Sequence, residues 1–160
     1  VAWQLVLLLA IVYAALAFRT GAVSGISMEP RIDSDEEVVI NHLAYRFGAN
    51  PQRGDVIAFE HVRSAPTVYL KRVIGGPGDR IEIRSGKVFV NGSPLDEPYV
   101  QFGDARSFPI ATVPPNSYYV LGDNRANSDD SRFWGFVPGD EVIGRATFVI
   151  WPFGRMGFVR

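Results

Sequence analysis

The chain has no cysteine, and its only histidines are His42 and His61. The lack of thiols excludes thiolate nucleophiles, disulfides and Cys-ligated metal centres. Two histidines without HExxH spacing do not indicate a metal site, and each reads as structural or exposed. Hydrolysis without Cys or a well-placed His leaves a serine paired with a lysine as the simplest nucleophilic arrangement. Lys71 is the unusual cation, set in Val68-Tyr69-Leu70-Lys71-Arg72-Val73-Ile74-Gly75. Strand alternation places Tyr69, Lys71 and Val73 on one face and Leu70, Arg72 and Ile74 on the other. On one reading Lys71 is a rim residue whose stem snorkels. On the other it is buried, loses its proton near neutral pH and serves as a base. Ser27 lies in Gly25-Ile26-Ser27-Met28-Glu29, which lacks the second glycine of a nucleophile elbow. Pro30 occupies the position where a Ser-x-x-Lys motif needs lysine.

The densest polar tract is Gly122-Asp123-Asn124-Arg125-Ala126-Asn127-Ser128-Asp129-Asp130-Ser131-Arg132. With Arg125 and Asn127 at the third and fifth positions from Asp123 and no Gly following, the tract is the wrong shape for a calcium loop, and no Gly-rich run ends in Lys-Ser/Thr. By itself it reads as a hydrogen-bonded surface loop built from Asx turns. Arg53-Gly54-Asp55 reads as a turn before a strand. Asn91-Gly92-Ser93 formally matches a glycosylation acceptor, a pattern common by chance.

The elements that must position these residues are mostly short and β-like. Candidate strands are 38–47, 55–62, 67–75, 79–86, 87–92, 118–124 and 142–151, with alternation clearest in Arg80-Ile81-Glu82-Ile83-Arg84 and Lys87-Val88-Phe89-Val90. Ser85-Gly86 predicts a tight hairpin turn and Asn91-Gly92 another. Residues 19–37 read as turn-rich and polar, and 92–117 as an irregular elaboration. Frequent prolines exclude long helices after residue 18. The fold class is mainly β: an antiparallel sheet, folded or barrel-like, over 19–160. Residues 1–18 carry no charge and are apolar except Gln4, which predicts a helix of about 27 Å at ~1.5 Å per residue. That is a short membrane span, a reading preferred to a cleaved signal peptide, which would need a basic start, or to a buried helix. The 16 basic against 17 acidic residues argue against a nucleic-acid partner.

Four separated segments resemble, in order, the boxes of the bacterial type I signal peptidases. They are Ser24-Gly25-Ile26-Ser27-Met28-Glu29-Pro30; Arg53-Gly54-Asp55-Val56-Ile57; Tyr69-Leu70-Lys71-Arg72-Val73-Ile74-Gly75-Gly76-Pro77-Gly78-Asp79; and Gly122-Asp123-Asn124-Arg125 with Asn127-Ser128, Asp130-Ser131-Arg132 and Trp134-Gly135. The resemblance implies a membrane-anchored serine endopeptidase, its catalytic domain on the extracytoplasmic side, that removes signal peptides from exported preproteins. It implies Ser27 as nucleophile, Lys71 as general base, and Ser128 as the residue that hydrogen-bonds the lysine amine. It further implies an Asp130–Arg132 salt bridge supporting the site together with Asp123, Asn124 and Arg125. The Ser27 amide, with the Gly25 region, would form the oxyanion hole, and Ile26, Met28, Tyr69 and Leu70 would border the substrate cleft. No cofactor and no metal are implied, and the partners are preproteins and membrane lipid. The stretch between the two later boxes is short, so the resemblance implies that the family's second β-subdomain is reduced here, around 79–117.

Two positions depart from the pattern. Gly25 stands where proteobacterial members often have a serine, and Arg31 stands where a small hydroxyl residue is usual. Two other functions fit the same residues: a catalytically silent membrane-anchored domain that binds extended peptides, and a specialised Ser/Lys processing protease. An apolar surface is expected near the cleft, from Phe133, Trp134 and Phe136 or from Trp151-Pro152-Phe153.

Overall fold

The computed structural model describes residues 2–60 and 67–159, so Val1, and His61 and Val62 of the 55–62 candidate strand, lie outside the described residues. Among the described residues a helix, α1 (Ala2–Ala17), leads into twelve strands: β1 (Phe18–Ala22), β2 (Glu37–Asn41), β3 (Val56–Glu60), β4 (Val68–Gly75), β5 (Arg80–Arg84), β6 (Lys87–Val90), β7 (Ser93–Pro94), β8 (Phe108–Thr112), β9 (Ser117–Leu121), β10 (Val137–Pro138), β11 (Val142–Trp151) and β12 (Gly157–Phe158). One turn of helix, α2 (Ser131–Trp134), follows the polar tract.

The larger sheet runs β1-β2-β11-β3-β4-β9-β10, with β12 on β11; the smaller runs β7-β6-β5-β8. Every pairing is antiparallel. In the smaller sheet the alternation is followed closely: Ile81, Ile83, Val88 and Val90 are buried while Arg80, Arg84 and Lys87 face out. Ser85 and Gly86 both take positive φ, 46° and 80°, the geometry of the tight hairpin turn expected there. In the larger sheet β1 and β4 border a common cleft although three strands separate them in the sheet order. The sheet therefore curls on itself, as strand twist favours. Register shifts in β11, at Ala146/Phe148 and Val149/Trp151 against β2, accompany the bend.

Three apolar clusters hold this together. One, around Met28, Ile32, Val38, Ile40, Val56 and Val149, lies under the segment linking β1 to β2. A second fills the space between the two sheets, around Ile74, Ile81, Val113, Tyr119 and Leu121. The third, around Ile57, Phe59, Val73 and Val120, backs β3, β4 and β9.

Several boundaries differ from the sequence reading. The candidate strand 38–47 stops at Asn41, whose side-chain carbonyl accepts the Leu43 N–H at 2.9 Å and turns the chain. β1 lies where polar turns were expected. It has no alternating apolar face and is held by its backbone pairing to β2, with Phe18 opposite Asn41. β8 crosses the stretch read as irregular. The apolar start forms α1, which ends one residue earlier than expected because Phe18 joins the sheet, and the His42 N–H donates to Ala17 O at 2.7 Å across that junction. Along α1 the apolar side chains from Trp3 to Leu16 are exposed. No helix among the described residues is long and apolar enough to cross a membrane. Of the aromatic residues considered for an exposed apolar surface, Phe133, Trp151 and Phe153 are exposed, whereas Trp134 and Phe136 pack against core clusters.

Candidate active site

β4 is paired to β3 along Val68–Arg72 and to β9 along Arg72–Gly75, so the two ladders overlap at Arg72 and the Val68–Lys71 stretch has β3 on one edge and the cleft on the other. Lys71 sits opposite Ile57 in that register and is 3 % exposed. Its amine reaches across the cleft and donates to Ser27 Oγ at 2.7 Å, joining residues 44 apart in the chain. Burial lowers the Lys71 pKa from 10.5 to about 8, against the opposing pull of the Asp130, Asp129 and Asp123 carboxylates. The Tyr69 ring centroid is 5.8 Å from the amine. Of the two readings of Lys71, the geometry gives the buried amine and not the snorkelling rim cation.

Ser27 stands on the link between β1 and β2, and this link is held from the polar tract. The Asn124 side-chain amide donates to Ile26 O at 3.1 Å, and its backbone N–H donates to Ser27 O at 3.0 Å. On the chain's other side Met28, 1 % exposed, anchors the link in the core. The Gly25 N–H, at a positive φ of 103°, donates to Ser34 Oγ at 3.3 Å. The Gly25 amide is thus occupied, while the Ser27 N–H has no acceptor among the described residues. Of the two groups considered for an oxyanion hole, the Ser27 amide is the uncommitted donor.

The tract read as a surface loop is instead largely buried: Asp123, Asn124, Arg125 and Asp130 are each at most 4 % exposed. Asp129 is exposed, and the charges that are buried are paired. Arg132 makes a two-pronged contact with Asp130, Nε to Oδ1 at 2.8 Å and Nη2 to Oδ2 at 2.9 Å, and reaches Asp104 at 2.8 Å. Asp130 also caps α2 and accepts the Gly122 N–H at 3.1 Å. Arg125 pairs with Glu97 and donates to Gly122 O. Asp123 points back to β4. It grips Arg72 through Nε–Oδ1 at 2.8 Å and Nη2–Oδ2 at 2.6 Å, both residues being at most 1 % exposed. Arg72 further donates to Gly54 O and stacks on Tyr99, 4.1 Å from the ring centroid. Strand alternation thus sends neighbouring cations to opposite faces, Lys71 to the cleft and Arg72 to a carboxylate that fixes the tract. The sequence reading attached no partner to Arg72. The signal available was an internal cation on a strand followed later by an acid inside a motif.

Ser128 does not make the contact expected of it. Its Oγ is buried without a hydrogen-bond partner, and no hydrogen bond joins it to Lys71 Nζ. It nevertheless lies beside the nucleophile. A Cβ placed on Gly122 would stand 2.2 Å from Ser128 Oγ and 2.5 Å from Ser27 O. No side chain fits between them, so Gly122→Ala is expected to displace the Ser27 backbone and lower kcat/KM by about 10²-fold while leaving a folded chain. Activity within twofold of the parent, with an unchanged melting temperature, would contradict this packing.

The cleft encloses about 810 Å³ and is bordered by Ser27, Met28, Tyr69, Leu70 and Lys71 among others, with β1 as its opposite wall. Ile26, assigned to the cleft from sequence, is exposed and lies outside this lining; its carbonyl is what the site uses, as acceptor for Asn124. Among the described residues no group of His, Asp and Glu is arranged to hold a metal.

Residues 1–151 match the family model for signal peptidase, peptidase S26. The chain belongs to this family. A signal peptidase I from Leptolyngbya laminosa is 39% identical over 138 residues, which are 82% of this chain and 68% of that protein. A probable signal peptidase I-2 from Synechocystis sp. is 38% identical over 83% of this chain, and the match spans 63% of that protein's length. Signal peptidase IB from Staphylococcus aureus is 34% identical over 85% of this chain and 79% of its own. A crystal structure of a signal peptidase I from Enterococcus faecalis V583 superposes with a TM-score of 0.53 at 38% identity, covering 60% of this chain and 96% of that one. By family this peptidase is a serine endopeptidase of the signal peptidase I type.

Proposed function

We propose that the protein removes signal peptides from exported preproteins, using Ser27 as nucleophile and Lys71 as general base through an acyl-enzyme. The observation that carries this reading is the 2.7 Å contact between Ser27 Oγ and an almost fully buried lysine amine with a pKa of about 8. When the amine is neutral, the same separation lets the Ser27 hydroxyl donate to Nζ and pass its proton as Oγ attacks the scissile carbonyl. The developing oxyanion takes the uncommitted Ser27 N–H. Lys71 then gives the proton to the departing amine, and afterwards takes one from the water that attacks the ester. Ser128 Oγ, beside the nucleophile and free of other bonds, is assigned to the amine once Ser27 is acylated and no longer available to it. Asn124 holds the nucleophile in place. Asp123, Arg125, Asp130 and Arg132 fix the tract that carries Asn124. None of these steps calls for a cofactor.

An extended substrate fits between β1 and β4. Among the described residues β1 pairs with β2 alone, which leaves its other edge to a peptide strand, and the alternating antiparallel order makes β1 and β4 run in the same direction. Met28, Tyr69 and Leu70 close the cleft near the reacting atoms, and walls of this kind accept a methyl and reject bulk by steric clash. The test is cleavage of a signal-peptide-bearing precursor with the product N-terminus sequenced. A single cut after small residues supports the reading, and no cut, or cuts at random, opposes it.

The membrane part of the proposal rests on α1, whose apolar side chains are exposed along its length, and on the exposed Trp151, Phe153 and Phe158. In this reading α1 anchors the chain and the catalytic domain lies on the extracytoplasmic side. The protein is then expected to stay with the membrane fraction through alkaline carbonate extraction and to need detergent for release. Full release by carbonate would contradict the anchor.

A further inference from the structure

Beyond residue 151, where the family match ends, the chain makes a short turn (Phe153–Arg155) and adds β12 to β11. Arg155 projects from that turn onto the segment that carries Ser27. Its Nε donates to Glu36 Oε1 at 2.6 Å, and its Nη2 donates to Pro30 O at 3.0 Å and lies 3.0 Å from Asp33 Oδ2. The acceptors are placed for control of the segment. Pro30 is three residues past the nucleophile. Glu36 closes the base of the segment: its carboxylate accepts the Asp33 N–H at 2.9 Å, and its carbonyl accepts the Val23 N–H at 2.8 Å. Glu36 is 2 % exposed, so its charge needs the guanidinium. A second contact is independent of charge. Val159, beyond the turn, is buried in the same cluster as Met28 and Ile32, the two apolar anchors of that segment, and its N–H is fixed to Thr147 O at 3.0 Å.

We infer that Arg155 is a positioning residue for the nucleophile, the tail forming one jaw of a clamp whose other jaw is Asn124. Asn124 holds Ile26 O and Ser27 O from one side, and Arg155 holds Pro30 O, Asp33 and Glu36 from the other. The inference rests on Ser27 being the nucleophile. Arg155 touches no reacting atom and does not border the cleft. Its removal therefore loosens Ser27 while Tyr69, Leu70 and the core-anchored Met28 keep the cleft walls in place, which lowers kcat and leaves KM nearly unchanged. Misplacing a reacting group by 1 Å costs about 10²-fold. With Asn124 still in place the expected loss for Arg155→Met is smaller, about tenfold in kcat.

The experiment measures kcat, KM and thermal midpoint for the full chain with one precursor, as wild type, Arg155→Met, Arg155→Lys and Ser27→Ala. The clamp predicts a kcat loss of about tenfold in Arg155→Met with KM within twofold, and partial recovery in Arg155→Lys, which keeps the charge but can serve only part of the acceptor set. If Arg155→Met fails to fold, Arg155→Lys decides alone by the same kcat-against-KM split. Wild-type kcat per folded molecule, or a rise in KM at constant kcat, overturns the clamp. Cleavage by Ser27→Ala would instead remove the nucleophile assignment itself, so the two failures are distinguishable.

Discussion

Lys71→Arg is expected to leave a charged residue on β4 and abolish turnover, with kcat lowered by about 10²–10⁴-fold, the range a general base contributes. Arginine stays protonated at any pH the fold survives, so it cannot accept the Ser27 proton. In the wild type, activity should rise with pH through about 8, the value to which burial lowers the amine. The same shift gives the stability a sign. Below pH about 8 the amine is charged in both states, and the folded state alone carries the cost of burying it. Between about 8 and 10.5 the folded chain has lost the proton while the unfolded chain keeps it, so stability increases with pH across that window. Lys71→Met, close in length and uncharged, should therefore melt higher than wild type at pH 7, and the difference should shrink above pH 8. A midpoint of activity near 10.5, or a Lys71→Arg enzyme with full activity, would remove lysine from the base role.

The largest effect on stability is expected at Asp123. Removing one partner of a buried ion pair costs about 3–5 kcal/mol, because the remaining charge stays buried without its counter-charge. Asp123→Ala takes from the buried Arg72 guanidinium the carboxylate that grips it through two hydrogen bonds. For a chain of this size the melting temperature should fall by roughly 6–20 °C. The double substitution Arg72→Met/Asp123→Leu removes both charges and should regain most of that loss. Asp123→Ala melting within about 2 °C of wild type would show that the pair does not hold the tract to β4.

How much of this was legible in the sequence differs from element to element. The hairpin of β5 and β6 was readable because its alternation and its Ser85-Gly86 turn are local properties. β1 was not, since Phe18–Ala22 has no buried face of its own and becomes a strand only when β2 arrives to pair with it. The residue types at Ser27 and Lys71 left both a bland and a chemical reading open. Only the curl of the sheet brings β4 against the link between β1 and β2. The polar tract misled in the other direction: five charges in eleven residues suggest solvent, yet Asp123, Asn124, Arg125, Asp130 and Ser131 are buried, and the ion-pair partners of Asp123, Arg125 and Arg132, namely Arg72, Glu97 and Asp104, lie far away in sequence. Ser128 shows the limit of carrying a role across by resemblance. Its position beside Ser27 agrees with the expected neighbourhood, but the hydrogen bond to the amine is not formed.

The central claim is that Ser27, deprotonated by Lys71, becomes acylated. Mass spectrometry of the full chain incubated at pH 8.5 with a peptide acylating inhibitor, followed by digestion and mapping of the modified peptide, tests it most directly. The account predicts one adduct, on Ser27, that forms in the wild type, is absent in Ser27→Ala and forms at least ~10²-fold more slowly in Lys71→Arg. An adduct on another residue, or equal labelling rates in wild type and Lys71→Arg, would contradict it.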